Sequence, residues 1–459
     1  MRFRPFARLC LLLALGSARS LPAALPPVPV PAENPITEPK RVLGKILFWD
    51  EQLSADDSVA CGTCHRPAYG GADPRAGRYP GVDKGTIDDV RGSPGLVSLD
   101  SAGRRVPHPV FGAEPQVTAR VAPSYFGALW ADELFWDGRA GTVLNDPLTG
   151  ATAIARGGAL ENAALTALAN AVEMAEPGRT WDELGAKLAR VEPLALATRL
   201  PMDVAAALAA TATASAADAG AVSRPTARDG GSAADAGAVS RPRYPALFAA
   251  AFGDAAITPV RIAFALASYE RTLVSDATAW DRYEAGDTSA LGARALYGWR
   301  AFQDFHCNAC HTPPLFTSND FFQIGVRRAE FDRGRENVTH DPEDAGEMKV
   351  PSLRNAALKA RFMHTGELAT LGAAIAFYVT APALPERDGI PGFGLYTFNM
   401  SRIDESDLRE FLETGLVDPR VRDETFPFDR PQLRSERATA TDGGSAAIAE
   451  RILRPTAEP

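Results

Sequence analysis

The sequence predicts a mostly helical protein made of two consecutive domains, and three observations support this fold class. Apolar residues recur at helical spacing, as Leu160, Ala164, Leu165 and Leu168 do. Alternating apolar and polar residues, the pattern of a half-buried strand, are scarce. One short cysteine motif occurs once in each half of the 459 residues, and a stretch of low complexity separates the two copies.

The first 20 residues predict an export signal. Arg2, Arg4 and Arg8 precede a short apolar run that is followed by small residues, which is the pattern of a cleaved secretory signal peptide. The run is too short to span a bilayer, and no later segment approaches 18 uninterrupted apolar residues. We therefore expect an exported protein without a membrane span.

The net charge restricts the partners. It is −9 at pH 7, and loss of the signal, with its four arginines and no acidic residue, would bring it to −13. A negative charge argues against nucleic acid and against an anionic membrane surface. It is compatible with a basic electron-donor protein, although many soluble proteins are acidic as well.

A duplicated segment divides the chain. Asp-Ala-Gly-Ala-Val-Ser-Arg-Pro stands at 218–225 and again at 235–242, with almost no large apolar residue nearby. Such a segment cannot bury enough surface to fold, so we predict a disordered linker. The predicted order is a signal peptide (1–20), a proline-rich leader (21–35), a first domain (36–210), the linker (211–243), a second domain (244–431) and a disordered tail (432–459).

Helical spacing continues in the second half. Val260, Phe264 and Ala267 share one face, and residues 291–302 predict a helix that leads into the second cysteine motif. Thr370 is a suitable N-cap for a further helix. Clusters of proline and glycine predict long loops at 67–94 and 382–394.

The cysteine motif is Cys-x-x-Cys-His, the pattern of covalent c-type haem attachment. Two thiols one helical turn apart can bond both vinyl groups of one porphyrin, and the histidine then supplies the proximal nitrogen to the iron. A zinc site would want the second cysteine pair about 15–20 residues after the first, and a thioredoxin-like motif would not need the histidine twice. We predict two covalent haems in a periplasmic protein. The predicted haem residues are Cys61, Cys64 and His65 in the first domain and Cys307, Cys310 and His311 in the second.

Three further segments carry a family resemblance. They are Leu-Gly-Lys-Ile-Leu-Phe-Trp-Asp at 43–50, Phe-Trp-Asp-Gly-Arg-Ala at 135–140, and Lys-Val-Pro-Ser-Leu-Arg-Asn at 349–355 with Met-His-Thr-Gly at 363–366. In this order, before, between and after the two haem motifs, they resemble the bacterial di-haem cytochrome c peroxidase family, which includes the methylamine dehydrogenase maturation enzyme. The resemblance covers nearly everything from residue 42 to 417 apart from the linker and an insert at 141–158.

The resemblance implies a fold and an activity. The fold is two all-α cytochrome c domains, with one haem for electron entry and the other for peroxide. The activity is reduction of H₂O₂ to water with electrons from a small redox protein, a cytochrome c or a cupredoxin. Peroxide-dependent oxidation of side chains on a partner protein is the alternative, as in the maturation enzyme. A di-haem electron carrier without catalysis is a second alternative.

The resemblance also implies two catalytic residues. Glu173 matches the family's acid/base glutamate beside the N-terminal haem, where a carboxylate can take a proton from peroxide and return it to the leaving oxygen. The ordinary alternative is a solvated glutamate at a helix end. The family usually has glutamine and proline where this chain has Ala163 and Ala167. Trp136 aligns with the tryptophan between the haems, although a buried core tryptophan is the ordinary reading of such a residue.

One axial ligand separates the two enzymatic alternatives. Peroxidase relatives have a methionine fourteen residues after the histidine that matches His364, and this chain has Tyr378 there. Tyrosine at this position resembles the maturation-enzyme branch, and a phenolate lowers the iron potential whereas methionine raises it. We predict Tyr378 as a ligand of the His311 haem. The alternative is that Met363 or Met400 reaches the iron.

Other positions that matter in relatives are altered. His108 could cap the first iron, but we expect an open, peroxide-ready iron. Relatives hold calcium between the domains, and the matching positions here are Val121, Lys359 and Arg361. Calcium needs several oxygen ligands, so we do not expect that ion. His364 is expected to form hydrogen bonds between the domains and not to bind iron.

Overall fold

The structure is a computed structural model that describes residues 24–80, 89–220, 242–380 and 400–441. The predicted signal peptide, most of the duplicated linker, the loop predicted at 382–394 and the end of the predicted tail lie outside these residues. Along the described part of the chain, no helix has the length and apolar character needed to cross a membrane.

Helices dominate the described residues. They are α1 (Glu38–Phe48), α2 (Cys61–Cys64), α3 (Ala159–Leu168), α4 (Trp181–Leu188), α5 (Met202–Gly220), α6 (Tyr244–Phe252), α7 (Pro259–Glu270), α8 (Ala279–Glu284), α9 (Ala293–Asp304), α10 (Glu336–Thr339), α11 (Leu371–Thr380), α12 (Arg402–Glu410), α13 (Pro419–Arg422) and α14 (Arg434–Thr441). This confirms the mostly helical prediction, and the helices expected at 160–168, 260–267 and 291–302 are present as α3, α7 and α9.

Strands are short and form three antiparallel pairs within the described residues. The pairs are β1 (Gly77–Tyr79) with β2 (Val90–Gly92), β3 (Leu144–Asn145) with β4 (Thr152–Ile154), and β5 (Phe321–Phe322) with β6 (Met348–Lys349). The register aligns Arg78 with Arg91 in the first pair, Leu144 with Ile154 in the second, and Phe321 with Lys349 in the third. The second pair lies within the insert at 141–158 that was expected from the resemblance.

The first core forms where α1 crosses α7. Leu43, Ile46 and Leu47 are fully buried on α1. Gly44 allows the crossing, because a Cβ there would lie only 1.9 Å from the carbonyl oxygen of Ala265. The glycine therefore fixes where the two helices approach each other.

The second core is rich in aromatic rings. Trp280, Phe302, Phe316 and Phe411 are fully buried and contact each other. On α9, a Cβ at Gly298 would lie 1.9 Å from the carbonyl oxygen of Asp407 on α12. The second core thus repeats the close helix crossing of the first.

The packing differs from the predicted domain border. Residues 244–431 were assigned to the second domain, but α6 and α7 pack in the first core, as do Val421 and Phe428 near the C-terminus. The physical reason is the buried face of α7, including Leu266, which fits against α1. Periodicity in the sequence indicates such a face but not the helix that covers it.

Two segments predicted to be disordered are partly ordered. The alanine-rich helix α5 extends to Gly220, into the predicted linker at 211–243, because alanine has the highest helix propensity. In the predicted tail, Gln432 pairs through backbone hydrogen bonds of 2.9 and 2.7 Å with Thr198. Leu433 is fully buried in the first core. The prediction was therefore wrong for residues 211–220 and for the described start of the tail.

Candidate active site

The first Cys-x-x-Cys-His motif begins with the one-turn helix α2. The turn is closed at its start by Thr63, whose Oγ1 accepts a hydrogen bond of 2.9 Å from the Ala60 amide. Cys61 and Cys64 are free thiols. Burial raises the pKa of the Cys61 thiol to about 12 and that of Cys64 well above its usual value. Both are therefore neutral thiols, available for covalent bonds.

His65 follows this helix with its ring fixed. Its Nδ1 lies 3.1 Å from the carbonyl oxygen of Gly71, in the loop after the motif. Burial lowers the pKa of the imidazole, which keeps it neutral. A ring that donates from Nδ1 to a backbone carbonyl leaves the Nε2 lone pair for a metal. The sequence-predicted iron ligand therefore has the protonation state that ligation requires.

A cavity formed by the described residues adjoins this motif. It encloses about 1220 Å³ of empty space, part of it open to solvent. The sequence-predicted residues that line it are Cys61, Cys64, His65, Trp136 and Glu173. Ala163 and Ala167, the two positions where the chain departs from the family pattern, line the same cavity. The fold thus brings these side chains, which are distant in the sequence, to the lining of one cavity.

Glu173 stands in a tight turn after α3. The side-chain oxygen of Asn170 accepts hydrogen bonds from the amides of Val172 (2.8 Å) and Glu173 (3.3 Å), and the Asn170 amide group donates to Glu173 Oε1 at 3.0 Å. Burial raises the pKa of the Glu173 carboxyl to about 7, and the positive charge of Arg139 opposes the shift. The group can therefore both hold and release a proton near neutral pH.

Trp136 is buried in a small cluster formed by segments from both halves of the chain. Its Nε1 donates a hydrogen bond of 2.8 Å to the carbonyl oxygen of Val121, and it packs in one cluster with Val121 and Met348. The turn after it needs Gly138, which has φ of 80° and lies against Phe321 and Arg335. These contacts fix the indole at the border between the segments that carry the two motifs.

The second motif forms a 3₁₀ turn at Cys307–Ala309. The Nδ1 of His311 lies 3.2 Å from the Phe316 carbonyl oxygen and 3.1 Å from that of Pro351. Burial lowers the pKa of His311 to about 4, so this imidazole is also neutral. Pro351 itself lines the large cavity. The cavity therefore reaches from the first motif to the loop that orients the second histidine.

The candidates for the second axial ligand lie in the second core. Thr370 caps α11 through a 3.0 Å hydrogen bond from the Ala373 amide, as predicted. Tyr378 is half-buried on this helix and follows Ala374 by one turn on the same face. Met400 is buried in the same core and Met363 packs against it. Tyrosine ligation thus remains a prediction.

Two other histidines take positions away from the cavity lining. The ring of His108 accepts hydrogen bonds from the amides of Val110 and Phe111 within its own loop and does not line the cavity. The His364 ring is tilted against that of Trp136, with centroids 6.1 Å apart, and the His364 carbonyl accepts a hydrogen bond of 2.9 Å from the Val121 amide. His364 Nε2 is buried without a hydrogen-bond partner.

Comparison with known proteins gives this arrangement a family. The family model described as di-haem cytochrome c peroxidase matches residues 38–216 and 197–289, together more than half of the 459 residues. The chain belongs to the di-haem cytochrome c peroxidase family. Members of this family carry two c-type haems, and the protein is an oxidoreductase that acts on peroxide.

Both branches of the family are among its relatives. The methylamine utilization protein MauG of Methylophilus methylotrophus is 28% identical over 392 residues, which are 84% of this chain and 85% of the relative. The cytochrome-c peroxidase IdrP1 of Denitromonas iodatirespirans is 27% identical and covers 92% of this chain and 94% of its own length. The relatives therefore support the family but not one of its two activities.

Solved structures agree on the fold. A MauG-like protein associated with microbial copper homeostasis superposes with a TM-score of 0.55 at 22% identity, over 90% of this chain and 98% of that chain. The diheme peroxidase BthA of Burkholderia thailandensis gives a TM-score of 0.54 at 19% identity, over 87% and 91%. At this identity the likeness concerns the fold alone.

The residues of the two Cys-x-x-Cys-His motifs are suited to hold the two c-type haems of this family. Each motif offers two free thiols and a neutral histidine whose Nδ1 is held by a backbone carbonyl. The first motif also borders a cavity that contains buried polar atoms without partners, namely Tyr125 Oη and Glu270 Oε2. Polar atoms of this kind are costly unless a bound group satisfies them, so the cavity is suited to a cofactor with polar edges.

Glu270 is a site residue that sequence reasoning missed. It ends α7 and lines the cavity one turn after Leu266. Burial, with a contribution from Glu161, raises the pKa of its carboxyl to about 8, so the group is protonated at neutral pH. The sequence did contain one signal: Glu270 follows Leu266 by four residues and so lies on the same, apolar face of the helix. An acidic residue on an otherwise apolar helical face is a candidate for the lining of a cofactor pocket.

Proposed function

We propose that this protein is a periplasmic di-haem peroxidase that reduces H₂O₂ to water with electrons from a small redox protein. The predicted export signal supports the compartment. The similarity to proteins named cytochrome-c peroxidase supports the reaction. The negative charge is compatible with a basic donor such as a cytochrome c. Overall, H₂O₂, two protons and two electrons give two molecules of water.

One observation carries the proposal. The cavity beside Cys61, Cys64 and His65 also contains Glu173 and Trp136. A proton-transfer group and an oxidisable indole thus face the place where the first haem would be bound. An electron carrier has no need of a carboxyl whose pKa lies near 7 inside such a cavity.

A haem held by Cys61, Cys64 and His65 would supply an iron able to reduce peroxide. Glu173 acts on the protons. Its carboxylate would accept a proton from peroxide and return it to the leaving oxygen, which departs as water. Asn170 holds the carboxyl at Oε1 and orients it. Ala163 and Ala167 leave more space in the cavity than larger side chains would.

Trp136 conducts the electrons. An indole can pass electrons singly, and here it lies between the cavity and the contacts with the second half of the chain. We propose that each helix crossing marks one haem domain and that the border follows Leu273, since α7 packs in the first core. The His311 haem is then the electron-entry site.

The acid/base role of Glu173 is tested by Glu173→Gln, which keeps the shape and removes the proton acceptor. Stopped-flow spectroscopy should record a peroxide reaction about 10²–10⁴ times slower than that of the parent. Glu114→Gln is a matched control, because Glu114 is exposed and outside the cavity lining. A parent rate in Glu173→Gln would refute the assignment. No peroxide-dependent spectral change in any variant would favour a non-catalytic electron carrier.

A second candidate is peroxide-dependent oxidation of side chains on a partner protein. The observation that favours it is Tyr378, on the α11 face that includes buried Leu371, Ala374 and Ile375. Similarity to proteins named MauG supports the same reading. If the phenolate of Tyr378 binds the His311 haem, Tyr378→Met should raise the potential of that haem and change its ferric spectrum. If the His311 haem of the parent already has a high reduction potential and the substitution does not change it, Tyr378 is not a ligand and the ordinary peroxidase activity is favoured.

A further inference from the structure

Lys359 is half-buried and holds a charge beside the proposed electron bridge. Its Nζ lies 5.9 Å from the centroid of the Trp136 ring and 5.8 Å from that of Phe362. Its stem passes Gly70, where a Cβ would lie 3.1 Å from Lys359 Cγ. No hydrogen bond or ion pair of this ammonium is found among the described residues. Within the described part of the chain, the neighbours of the amine are thus two aromatic rings and no carboxylate.

Several charged groups lie on the segments around this place, and most of them are paired with an opposite charge. Arg120 binds Asp137, which follows Trp136, and also Asp332. His364, whose ring is 6.1 Å from that of Trp136, lies 4.0 Å from Asp332. In the loop before Gly70, the guanidinium of Arg66 pairs with Glu436 and lies 4.0 Å from Glu424. Arg361, on the segment of Lys359, faces Arg91. Arg139 contacts Asp137 and covers the Phe135 ring.

A cation near an aromatic face stabilises the neutral ring and opposes its oxidation. Removing an electron from Trp136 places a second positive charge about 6 Å from the Lys359 ammonium. At an effective dielectric constant of about 20, the repulsion at 5.9 Å shifts the oxidation equilibrium of the indole by about 100-fold. Burial lowers the pKa of Lys359 to about 8, so the charge is present at neutral pH and lost in mild alkali.

We propose that Lys359 is a positioning residue whose charge, placed over Trp136, limits how readily the indole is oxidised during electron transfer between the two haem sites. This inference rests on the proposed bridging role of Trp136. In the step concerned, Trp136 gives one electron to the peroxide-oxidised first site and regains one from the second site. The indole is unchanged overall, and peroxide is the oxidant. The transient indole cation is the species that the Lys359 charge destabilises.

The test compares the holoproteins of the parent, Lys359→Met and Lys359→Arg after rapid mixing with H₂O₂ at pH 7. The readouts are the unimolecular electron-transfer phase that follows the peroxide reaction and the indole radical trapped by rapid freezing for electron paramagnetic resonance. Lys359→Met should accelerate this phase by about 10- to 100-fold and increase the radical. Lys359→Arg keeps the charge and should stay within a few-fold of the parent.

The pH profile gives an independent readout, which remains useful if Lys359→Met does not fold. In the parent, the unimolecular phase should accelerate as the pH rises through about 8, because the ammonium loses its proton. In Lys359→Arg it should stay slow and independent of pH up to pH 9.5. A parent profile that is flat from pH 6 to 9.5, or a Lys359→Met phase within twofold of the parent, overturns the inference.

Trp136→Phe separates this inference from the proposed function. If Trp136→Phe slows the phase and Lys359→Met leaves it unchanged, Trp136 is the bridge and only the role of Lys359 is wrong. If Trp136→Phe has no effect, the bridging role itself is wrong and the inference from Lys359 falls with it. Thermal unfolding of each variant, compared with the parent, identifies a change that acts through folding.

Discussion

Burial changes the pKa of Glu173 in the direction that its proposed acid/base role requires. The same carboxyl in water would be ionised at neutral pH and a poor proton donor. Inside the cavity, desolvation disfavours the charged form and raises the pKa to about 7, while the more distant Arg139 lowers it only in part. A pKa near the working pH is the best compromise for a group that must take up and return a proton.

The pH dependence of the peroxide reaction follows from this shift. Below pH 7 the Glu173 carboxyl is protonated and cannot accept the peroxide proton, so the second-order rate constant should rise as the pH increases through about 7 and level off above it. The measurement is stopped-flow kinetics from pH 5.5 to 8.5. In Glu173→Gln this inflection should disappear. A parent profile without an inflection between pH 6 and 8 would contradict the role of the carboxyl.

Functional residues could be predicted from the sequence wherever a short motif is typical of one chemistry. Cys61, Cys64 and His65 are adjacent in the chain, so their spacing alone predicts a haem attachment site. Glu173 and Trp136 were found only through a resemblance. Glu270 was missed because a single glutamate on a helical face has no motif, and its burial depends on which helices cover it.

At the scale of elements, the two helix crossings have the same construction. In each, a glycine of one helix meets a backbone carbonyl of another: Gly44 against Ala265, and Gly298 against Asp407. Close approach at one point sets the angle and distance of a helix pair, since the remaining side chains interdigitate around it. The first crossing supports the helix whose cavity-facing residues are Leu266 and Glu270.

Gly44→Ala should therefore destabilise the protein. An alanine gains up to about 1 kcal/mol in helix propensity, but its Cβ would lie 1.9 Å from the Ala265 carbonyl oxygen, so the backbones must separate. Overpacking of this kind costs about 1–3 kcal/mol or more. We expect a net loss of about 1–2 kcal/mol in the free energy of unfolding, measured by chemical denaturation. Gly141→Ala, at an open position, is the control and should change stability little.

At the scale of the whole molecule, the proposed function depends on two haem sites and a fixed bridge. The loop of Pro351 touches both the cavity and the His311 ring, and Trp136 is buried with Met348 at the same border. The C-terminal segment returns to the first core through Phe428, and Lys45 pairs with Asp203 and Asp429. Segments that precede and follow the second core in the sequence therefore both contact the first core.

Mass spectrometry tests the two-haem arrangement directly. Protein exported and matured with a c-type haem ligation system should carry two haem adducts. Digestion should locate them on the peptides of Cys61/Cys64 and Cys307/Cys310. Cys307→Ala with Cys310→Ala should leave one adduct and a protein that cannot receive electrons from a donor at the normal rate. A parent protein with one adduct or none would end the di-haem reading.

The sequence by itself determined the helical class, the two haem motifs and the family resemblance. Each rests on the spacing of residues that are close in the sequence, and this spacing does not depend on tertiary contacts. The tertiary structure alone decided that α6 and α7 belong with the first core, and that Glu270 lines the cavity. It alone placed Lys359 over Trp136, although 223 residue positions separate 136 from 359. Burial, charge proximity and pKa arise from contacts between distant segments, which no local pattern encodes.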